Sequence, residues 1–291
     1  MLGLDFEVRV QPDFLAIGHI PKDLTPDGFT LGGAVTFGAL AAKRLGLSPA
    51  VVTSVGSDVE LSHTLPGIPV HVVPSSQTTI FLNTYVSGRR TQYIKEVGGR
   101  ISASDVPSEW LAAPLVMLGP LAQEVDAGLV KLFPQSIVVA SIQGWLRQWD
   151  DEGKVSSCSW SGKDVLPYVD AAILSIDDIE DTAALDVWKD LTSVLIFTQG
   201  SEGIDVHFEG AWHQVNAYPV NEVDPTGAGD VFAAAYLVRF AETRDVLLSV
   251  DFASCAASFC VEAQGAGGIA TRTEIEARMA NAGDVASPRE P

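Results

Sequence analysis

The fold of this chain is decided by the stretch Asp224-Pro225-Thr226-Gly227-Ala228-Gly229-Asp230, which joins a turn directly to the apolar residues 231–237. Asp, Pro and Thr are residue types that favour turns and helix starts. The first amides of a helix have no acceptor within it, so those of Gly227, Ala228 and Gly229 are predicted to bind an anion. The two glycines also allow a ligand to approach the backbone closely.

Asp230 lies inside this predicted anion site, where a carboxylate would repel a phosphate. Its presence is explained if it removes a proton from a hydroxyl group that attacks a phosphorus atom held beside it. The alternative is a glycine-rich turn that only caps a buried helix. For a bare Gly-x-Gly-Asp pattern that alternative is favoured.

The composition limits the class of protein. The chain has 291 residues, 47% of them hydrophobic, which suits one large α/β domain over residues 1–291. Its net charge of −19 disfavours nucleic acid as a partner. Three cysteines without metal-like spacing, and an N-terminus without a secretion signal, fit a reducing cytoplasm. No apolar run is long enough for a membrane span, so no membrane partner is expected.

The chain begins with a strand, a helix and a second strand. Residues 14–20 form an apolar run typical of a buried strand. Gly32 and Gly33 lead into a helix that ends at Gly46, and residues 49–55 form the next strand. This order predicts a parallel pair of strands with a crossover. Residues 24–31 contain Pro26 and Gly28 and are predicted to be a turn-rich connection.

A β-hairpin is predicted within residues 77–100, with the basic residues Arg89 and Arg90 at its tip. We expect it to be a small lid outside the main sheet. Further strands are predicted at residues 115–118, 137–142, 171–175, 194–198 and 204–208. Residues 281–291 resemble a flexible polar tail. Together these patterns predict a doubly wound sheet with ligands at the carboxyl ends of its strands.

The stretch from Asp224 to Leu237 resembles the C-terminal signature of the ribokinase family, the phosphofructokinase-B-type sugar kinases. With five other segments in the family's order, the resemblance covers about residues 14–276. It implies a three-layer αβα fold with a small β-hairpin lid. It also implies ATP-dependent transfer of a phosphoryl group to a sugar or polyol hydroxyl, with Asp230 as general base and the amides of residues 227–229 as the anion site.

The resemblance also implies the acceptor site. The segment Gly18-His19-Ile20-Pro21-Lys22-Asp23 matches the family's first strand, whose closing Asp holds substrate hydroxyls. Gly32 and Gly33 match the di-glycine that lines the substrate pocket. Thr36 stands where the family usually has Asn, which weakens the transfer of a substrate contact there. Alone, Asp23 would be interpreted as an ordinary turn residue.

The donor side is implied by three further segments. Asp177-Asp178-Ile179-Glu180 falls where the family has Asn-x-x-Glu, so Asp177 and Glu180 are predicted to place Mg²⁺ through water. An acidic helix start explains the same residues equally well. The nucleotide is expected near Thr198, Gly200, Gly203, Thr226, Gly265 and Gly267. In some members the residues that match Asp224 and Thr226 help to hold K⁺.

The chain contains neither a P-loop nor a Gly-x-Gly-x-x-Gly motif in its first βα unit, so the predicted phosphate site depends on the amides of residues 227–229. Further positive charge for the transferred phosphoryl group would come from magnesium and from a basic side chain, for which there are four candidates. These are Lys22, Arg89, Arg90 and Arg147. Arg147 follows a predicted strand and is also a candidate acceptor contact. A surface arginine packed on a tryptophan explains it at least as well.

Within the family, three features resemble the myo-inositol kinase branch: the segment from Ile142 to Arg147, Pro225, and the short link between Asp23 and Gly32. The short link also predicts that the lid lacks a second pair of strands, which leaves open a monomer or a homodimer. Two other functions remain. A nucleoside kinase would need an aromatic slot for a base, from Phe29, Phe37 or Tyr85, and a catalytically silent family member would only bind ligands.

Overall fold

The structure is a computed structural model that describes residues 11–86 and 89–285. Its strands are β1 (Phe14–Ile17), β2 (Lys22–Thr25), β3 (Gly28–Leu31), β4 (Pro49–Val55), β5 (Val70–Pro74), β6 (Ile80–Val86), β7 (Arg89–Glu96), β8 (Leu115–Leu118), β9 (Ile137–Ser141), β10 (Arg147–Trp149), β11 (Val155–Ser157), β12 (Ala171–Ser175), β13 (Val194–Thr198), β14 (Ile204–Phe208) and β15 (Ala211–Val215). Its α-helices are α1 (Ala34–Arg44), α2 (Ala183–Trp188), α3 (Ala228–Thr243), α4 (Val246–Val261) and α5 (Arg272–Val285).

The main sheet has nine strands in the order β15-β14-β13-β12-β9-β8-β1-β4-β5. The strands from β13 to β5 run parallel, and β14 and β15 are antiparallel additions at one edge. All four residues of β1 and all seven of β4 are buried, as expected for parallel strands covered on both faces. The predicted doubly wound sheet is confirmed.

The two faces of the sheet are covered differently. Phe14 and Ala16 point to the core formed with α1, α3, α4 and α5, whereas Leu15 and Ile17 point to the opposite core. That second core is covered by the short helix α2 and by 3₁₀ helices, including Ala127–Leu132 and Ile142–Leu146. The structure is therefore a three-layer α/β fold with one layer built mainly from short helices and loops.

The lid is larger than predicted. It is a four-stranded sheet in the order β3-β2-β6-β7, in which β2 pairs antiparallel with β3 and parallel with β6. The predicted turn-rich connection at residues 24–31 and the missing second strand pair were therefore wrong. The link is short, yet two strands of four residues fit because they are joined by a tight turn at Pro26-Asp27 that ends at Gly28, whose φ is +143°. The tip residues 87–88 lie outside the described residues.

Two further differences from the predicted fold concern the C-terminal helix and four additional strands. Residues 281–285 were predicted to be flexible but belong to α5, since a polar segment with alanines can extend a helix; residues 286–291 lie outside the described residues. The strands β5, β10, β11 and β15 were not predicted. None of the helices in the described part of the chain has the length and hydropathy needed to cross a membrane.

Candidate active site

The residues of the predicted anion site lie at the start of α3. Gly227 precedes the helix with a left-handed φ of +82°. A Cβ atom at Gly227 would overlap the ring of Phe37, which comes from α1 and is 4% exposed. Both the backbone conformation and the close approach of the ring therefore require glycine here.

Two of the three predicted amides are available at this helix start. The Ala228 amide donates to the Pro225 carbonyl at 3.2 Å, so it is already used. Over residues 11–86 and 89–285, no protein acceptor bonds the amides of Gly227 and Gly229. No atom lies within 4 Å of the position that a Cβ on Gly229 would occupy, which leaves the backbone there open to a ligand.

Asp230 lies in the first turn of α3 and is partly buried. Burial raises its pKa, the charge of Arg147 lowers it, and the charges of Asp178 and Asp23 raise it, so that the pKa is about 7. A carboxylate with a pKa near neutrality is suited to accept a proton in a reaction at physiological pH. The four charged residues come from distant parts of the sequence, and their mutual influence places them in one cluster.

Asp23 lies on β2 of the lid and faces the di-glycine. A Cβ on Gly32 would lie 2.6 Å from the Asp23 Oδ2 atom, so the carboxylate packs directly over the Gly32 backbone. Gly33 has a φ of +92°, and a Cβ there would lie 2.7 Å from the His19 carbonyl oxygen. Thr36 is buried, and its hydroxyl donates to the Gly32 carbonyl at 2.7 Å, so it supports this turn from beneath.

Arg147 reaches the cluster from the start of β10. Its Nη1 atom donates to the Leu121 carbonyl at 3.1 Å, and its guanidinium lies 5.6 Å from the centre of the Phe81 ring on the lid strand β6. It therefore connects the main domain, the lid and Asp230. Lys22, another predicted cation, is instead 7% exposed and forms an ion pair with Asp58. The side chains of Arg89 and Arg90 lie outside the described residues.

Asp178 lies close enough to Asp230 for its charge to raise the pKa of Asp230. The family resemblance had pointed instead to Asp177 and Glu180. Its carboxylate accepts hydrogen bonds from the Ser175 amide at 2.8 Å and the Gln143 side chain at 2.7 Å. Burial raises the pKa of Asp178, and the charge of Arg147 opposes that shift. The predicted magnesium residues Asp177 and Glu180 are exposed.

The signals for Asp178 and Gln143 were ambiguous in the sequence. Ser175-x-x-Asp178 is a capping-box pattern, which by itself indicates a local turn. The contact with Gln143 spans 35 positions and could not be inferred from spacing. Across the described residues, no group of three or more His, Cys, Asp or Glu side chains is arranged to hold a metal ion.

The predicted donor side consists of open glycines and two loops joined by a carboxylate. No atom lies within 4 Å of a Cβ position at Gly200, Gly265 or Gly267. Asp224 accepts hydrogen bonds from the Thr226 amide at 3.0 Å and the Gly265 amide at 3.2 Å. Burial opposes the change, but these hydrogen bonds lower the pKa of Asp224.

The other two donor-side residues have roles in holding the strands. The Thr198 hydroxyl donates to the Leu174 carbonyl at 3.3 Å. A Cβ on Gly203 would lie 2.6 Å from the Val215 carbonyl, so this turn packs closely on the end of β15. Thr198 ends β13, and Gly203 directly precedes β14, which pairs with β13.

Comparison with known protein sequences shows relatives of one kind. Residues 158–273 match the profile of the pfkB family carbohydrate kinases. The chain is 24% identical over 255 residues to the cytidine kinase of Thermococcus kodakarensis, which covers 80% of this chain and 90% of that protein. An 83-residue segment is 41% identical to the ribokinase of Bacillus subtilis and covers 28% of each protein.

Solved structures show the same fold over almost the whole chain. A pyrophosphate-dependent kinase in the ribokinase family, complexed with a pyrophosphate analog and myo-inositol, superposes with a TM-score of 0.74 at 21% identity, covering 91% of this chain and 99% of that one. Arabidopsis thaliana ribokinase, complexed with ribose and ATP, has a TM-score of 0.71 at 18% identity, covering 92% and 98%. The pfkB carbohydrate kinase profile thus matches residues 158–273, and almost the whole chain has the fold of the ribokinase family.

Proposed function

We propose that this protein is an ATP-dependent kinase that transfers the γ-phosphoryl group to a hydroxyl of a sugar or polyol, with a myo-inositol-like acceptor favoured. The observation that carries the proposal is the position of Asp230. Its carboxylate, with a pKa of about 7, lies one residue after the open backbone of Gly229 and within reach of the charges of Asp23, Asp178 and Arg147.

In the proposed reaction, Asp23 accepts hydrogen bonds from acceptor hydroxyls and turns one of them toward Asp230. Asp230 takes the proton of that hydroxyl while the hydroxyl oxygen forms a bond to the γ-phosphorus. The bond between this phosphorus and the bridging oxygen breaks, and the electron pair leaves with ADP. The amides of Gly227 and Gly229 and the positive end of α3 stabilise the charge on the phosphoryl oxygens.

Magnesium fits the oxygen-rich cluster without a complete protein cage. Asp178, with Asp177 and Glu180 through water, would hold it beside the donor, and the donor phosphates would supply the remaining ligands. When bound, Mg²⁺ neutralises charge on the phosphates. That Asp224 contributes to a K⁺ site stays a prediction. In this structure its two carboxylate oxygens accept hydrogen bonds from the amides of Thr226 and Gly265.

The charges and the aromatic residues of the site favour a neutral polyol. Three carboxylates and one guanidinium surround the acceptor position, which would repel an acceptor that already carries a phosphate. Phe37 lies beneath Gly227 and cannot stack on a base, and Phe81 is covered by Arg147. Phe29 on β3 is 47% exposed and is the one candidate of the predicted aromatic slot that remains accessible among those whose side chains are described.

A nucleoside kinase is the second candidate, because the alignment with the cytidine kinase covers 90% of that protein and because Phe29 is accessible. The donor is a separate question. The similar solved structures include a pyrophosphate-dependent enzyme, while the open backbone at Gly200, Gly265 and Gly267 leaves space for a nucleotide.

A matrix of acceptors and donors tests the proposal. Purified protein is assayed for turnover with myo-inositol, ribose, fructose, adenosine and cytidine, each with ATP or pyrophosphate and Mg²⁺, and with Asp230→Asn as the control for contaminating kinases. We expect the highest kcat/KM with ATP and a polyol. A preference for cytidine or adenosine would support the second candidate, and no turnover with any pair above the background of a mock purification would indicate a silent family member.

A further inference from the structure

Gln123 has an unusual backbone conformation close to Arg147. Its φ is +59°, in the left-handed region that residues with a side chain seldom adopt. It lies in the turn of residues 121–124, which follows β8. Its amide donates to the Gly144 carbonyl at 3.2 Å, and its side-chain Nε2 atom donates to the Arg147 carbonyl. One strained residue therefore holds both ends of the segment from Gly144 to Arg147.

A buried carboxylate fixes this turn. Glu124 is 3% exposed. Its oxygens accept hydrogen bonds from the amides of His19 at 3.0 Å, Leu121 at 3.0 Å and Ala122 at 2.7 Å. The turn is thereby joined to the end of β1, next to the di-glycine. The surrounding structure thus enforces the left-handed conformation at Gln123, which is the situation in which strain persists at functional sites.

The two segments cross in direct contact. A Cβ on Gly144 would overlap the backbone of Pro120 and Leu121, so the two backbone segments pass in contact with no room for a side chain at Gly144. Beyond this crossing, the Leu121 carbonyl accepts a hydrogen bond from Arg147 Nη1 at 3.1 Å. The turn therefore contacts Arg147 at both its backbone and its guanidinium.

We propose that Gln123 is a positioning residue, and that the turn of residues 121–124 holds the Arg147 guanidinium in the orientation that the phosphoryl-transfer site requires. This inference rests on the proposed function and extends it to residues that do not touch the reacting atoms.

The first test separates activity from stability. Gln123→Gly relieves the backbone and keeps the amide bond to Gly144, but it removes the side-chain bond to Arg147. We expect an unchanged or higher melting temperature and a loss in acceptor kcat/KM of about five- to tenfold, the size of one hydrogen bond. The matched control is Glu209→Gly, which relieves a φ of +50° in the exposed β14–β15 turn and should leave kcat/KM unchanged.

The second test is a double-mutant cycle with Arg147→Ala, assayed with ATP, Mg²⁺ and the acceptor that is phosphorylated fastest in the matrix above. If Gln123 acts through Arg147, Gln123→Gly has no further effect in the Arg147→Ala background. Additive losses, or a Gln123→Gly enzyme within about twofold of wild type, would overturn the proposal. If Arg147→Ala itself has wild-type activity, then the proposed role of Arg147 is wrong, and that failure is distinguishable.

The pH profile gives a readout that a purely structural role would not change. Asp230 faces Arg147 from β10, Asp178 from the Ile176–Asp178 helix, Asp23 from β2 and Cys260 from α4. Arg147 lowers the pKa of Asp230, so a displaced guanidinium lets that pKa rise. The acid limb of kcat/KM should therefore move to higher pH in Gln123→Gly, and an unmoved limb together with lost activity would contradict positioning.

Discussion

The ring of Phe37 fills the position that a side chain on Gly227 would occupy, whereas Gly229, two residues later, has open space above it. The two glycines of the anion site thus have different roles. Gly227 packs the site onto α1, and Gly229 exposes backbone to the ligand.

This difference predicts opposite results for two alanine substitutions. Gly227→Ala should destabilise the protein by roughly 1–3 kcal/mol, because it combines a left-handed backbone with a steric clash. Gly229→Ala should fold normally, with a gain of roughly 0.5–1 kcal/mol for alanine in a helix, but should lose turnover. Thermal unfolding and kcat are measured for both variants. A Gly229→Ala enzyme with wild-type turnover would show that the phosphoryl group binds elsewhere.

Asp23→Asn tests the acceptor site. The substitution preserves shape but turns one acceptor oxygen into a donor, so the KM for the acceptor should rise by roughly ten- to hundredfold. The KM for ATP should change little. Asp27→Asn, in the exposed turn of the same lid hairpin, is the matched control and should change neither constant. Equal changes of both KM values in Asp23→Asn would indicate a structural role.

The assignment of Asp178 predicts a pH shift with a defined sign. The negative charge of Asp178 raises the pKa of Asp230. Asp178→Asn removes that charge, so the pKa of Asp230 falls and the acid limb of kcat/KM moves to lower pH. Asp177→Asn, at the exposed neighbouring position, should leave the limb in place. A limb that moves in Asp177→Asn and not in Asp178→Asn would restore the assignment made from the sequence.

The four-stranded lid should respond to ligands as a unit. Because closure excludes water from the transferred phosphoryl group, amides of Phe81, Leu82 and Tyr93 should gain protection from hydrogen exchange with acceptor and a nucleotide analogue. Strand β2 pairs with β6, and β3 pairs with β2, so amides of both strands should gain protection together with β6. Unchanged exchange in both hairpins would count against a lid that closes.

The sequence predicted those parts of the fold that depend on local pattern. Buried parallel strands such as β1 and β4 are mainly apolar runs, and the start of α3 has its own turn and glycine signals. Strands β2 and β3 were missed because four polar or exposed residues give no periodicity, and their pairing comes from β6.

The sequence identified candidate site residues only where a local motif or the family resemblance pointed to a single position. Asp230 follows from the glycines beside it, whereas Asp23 follows only from the resemblance to the family's first strand. The prediction named Asp177 and not its neighbour Asp178, because the geometry of a 3₁₀ turn decides which of these two carboxylates faces inward. The conformation of Gln123 leaves no signal in the sequence, because it is imposed by Glu124 and by the crossing with Gly144.

The most direct test of the account is the turnover of Asp230→Asn with a confirmed acceptor, measured together with ATP affinity by calorimetry. Asparagine keeps the turn and nearly the same volume but cannot accept the proton. We predict unchanged or slightly tighter ATP binding, because a negative charge beside the phosphates is removed, and a fall in kcat by roughly 10² to 10⁴. If Asp230 is only a helix-start residue, asparagine serves there almost as well. Turnover within about threefold of wild type, far short of the loss expected for a general base, would contradict the mechanism proposed for this kinase.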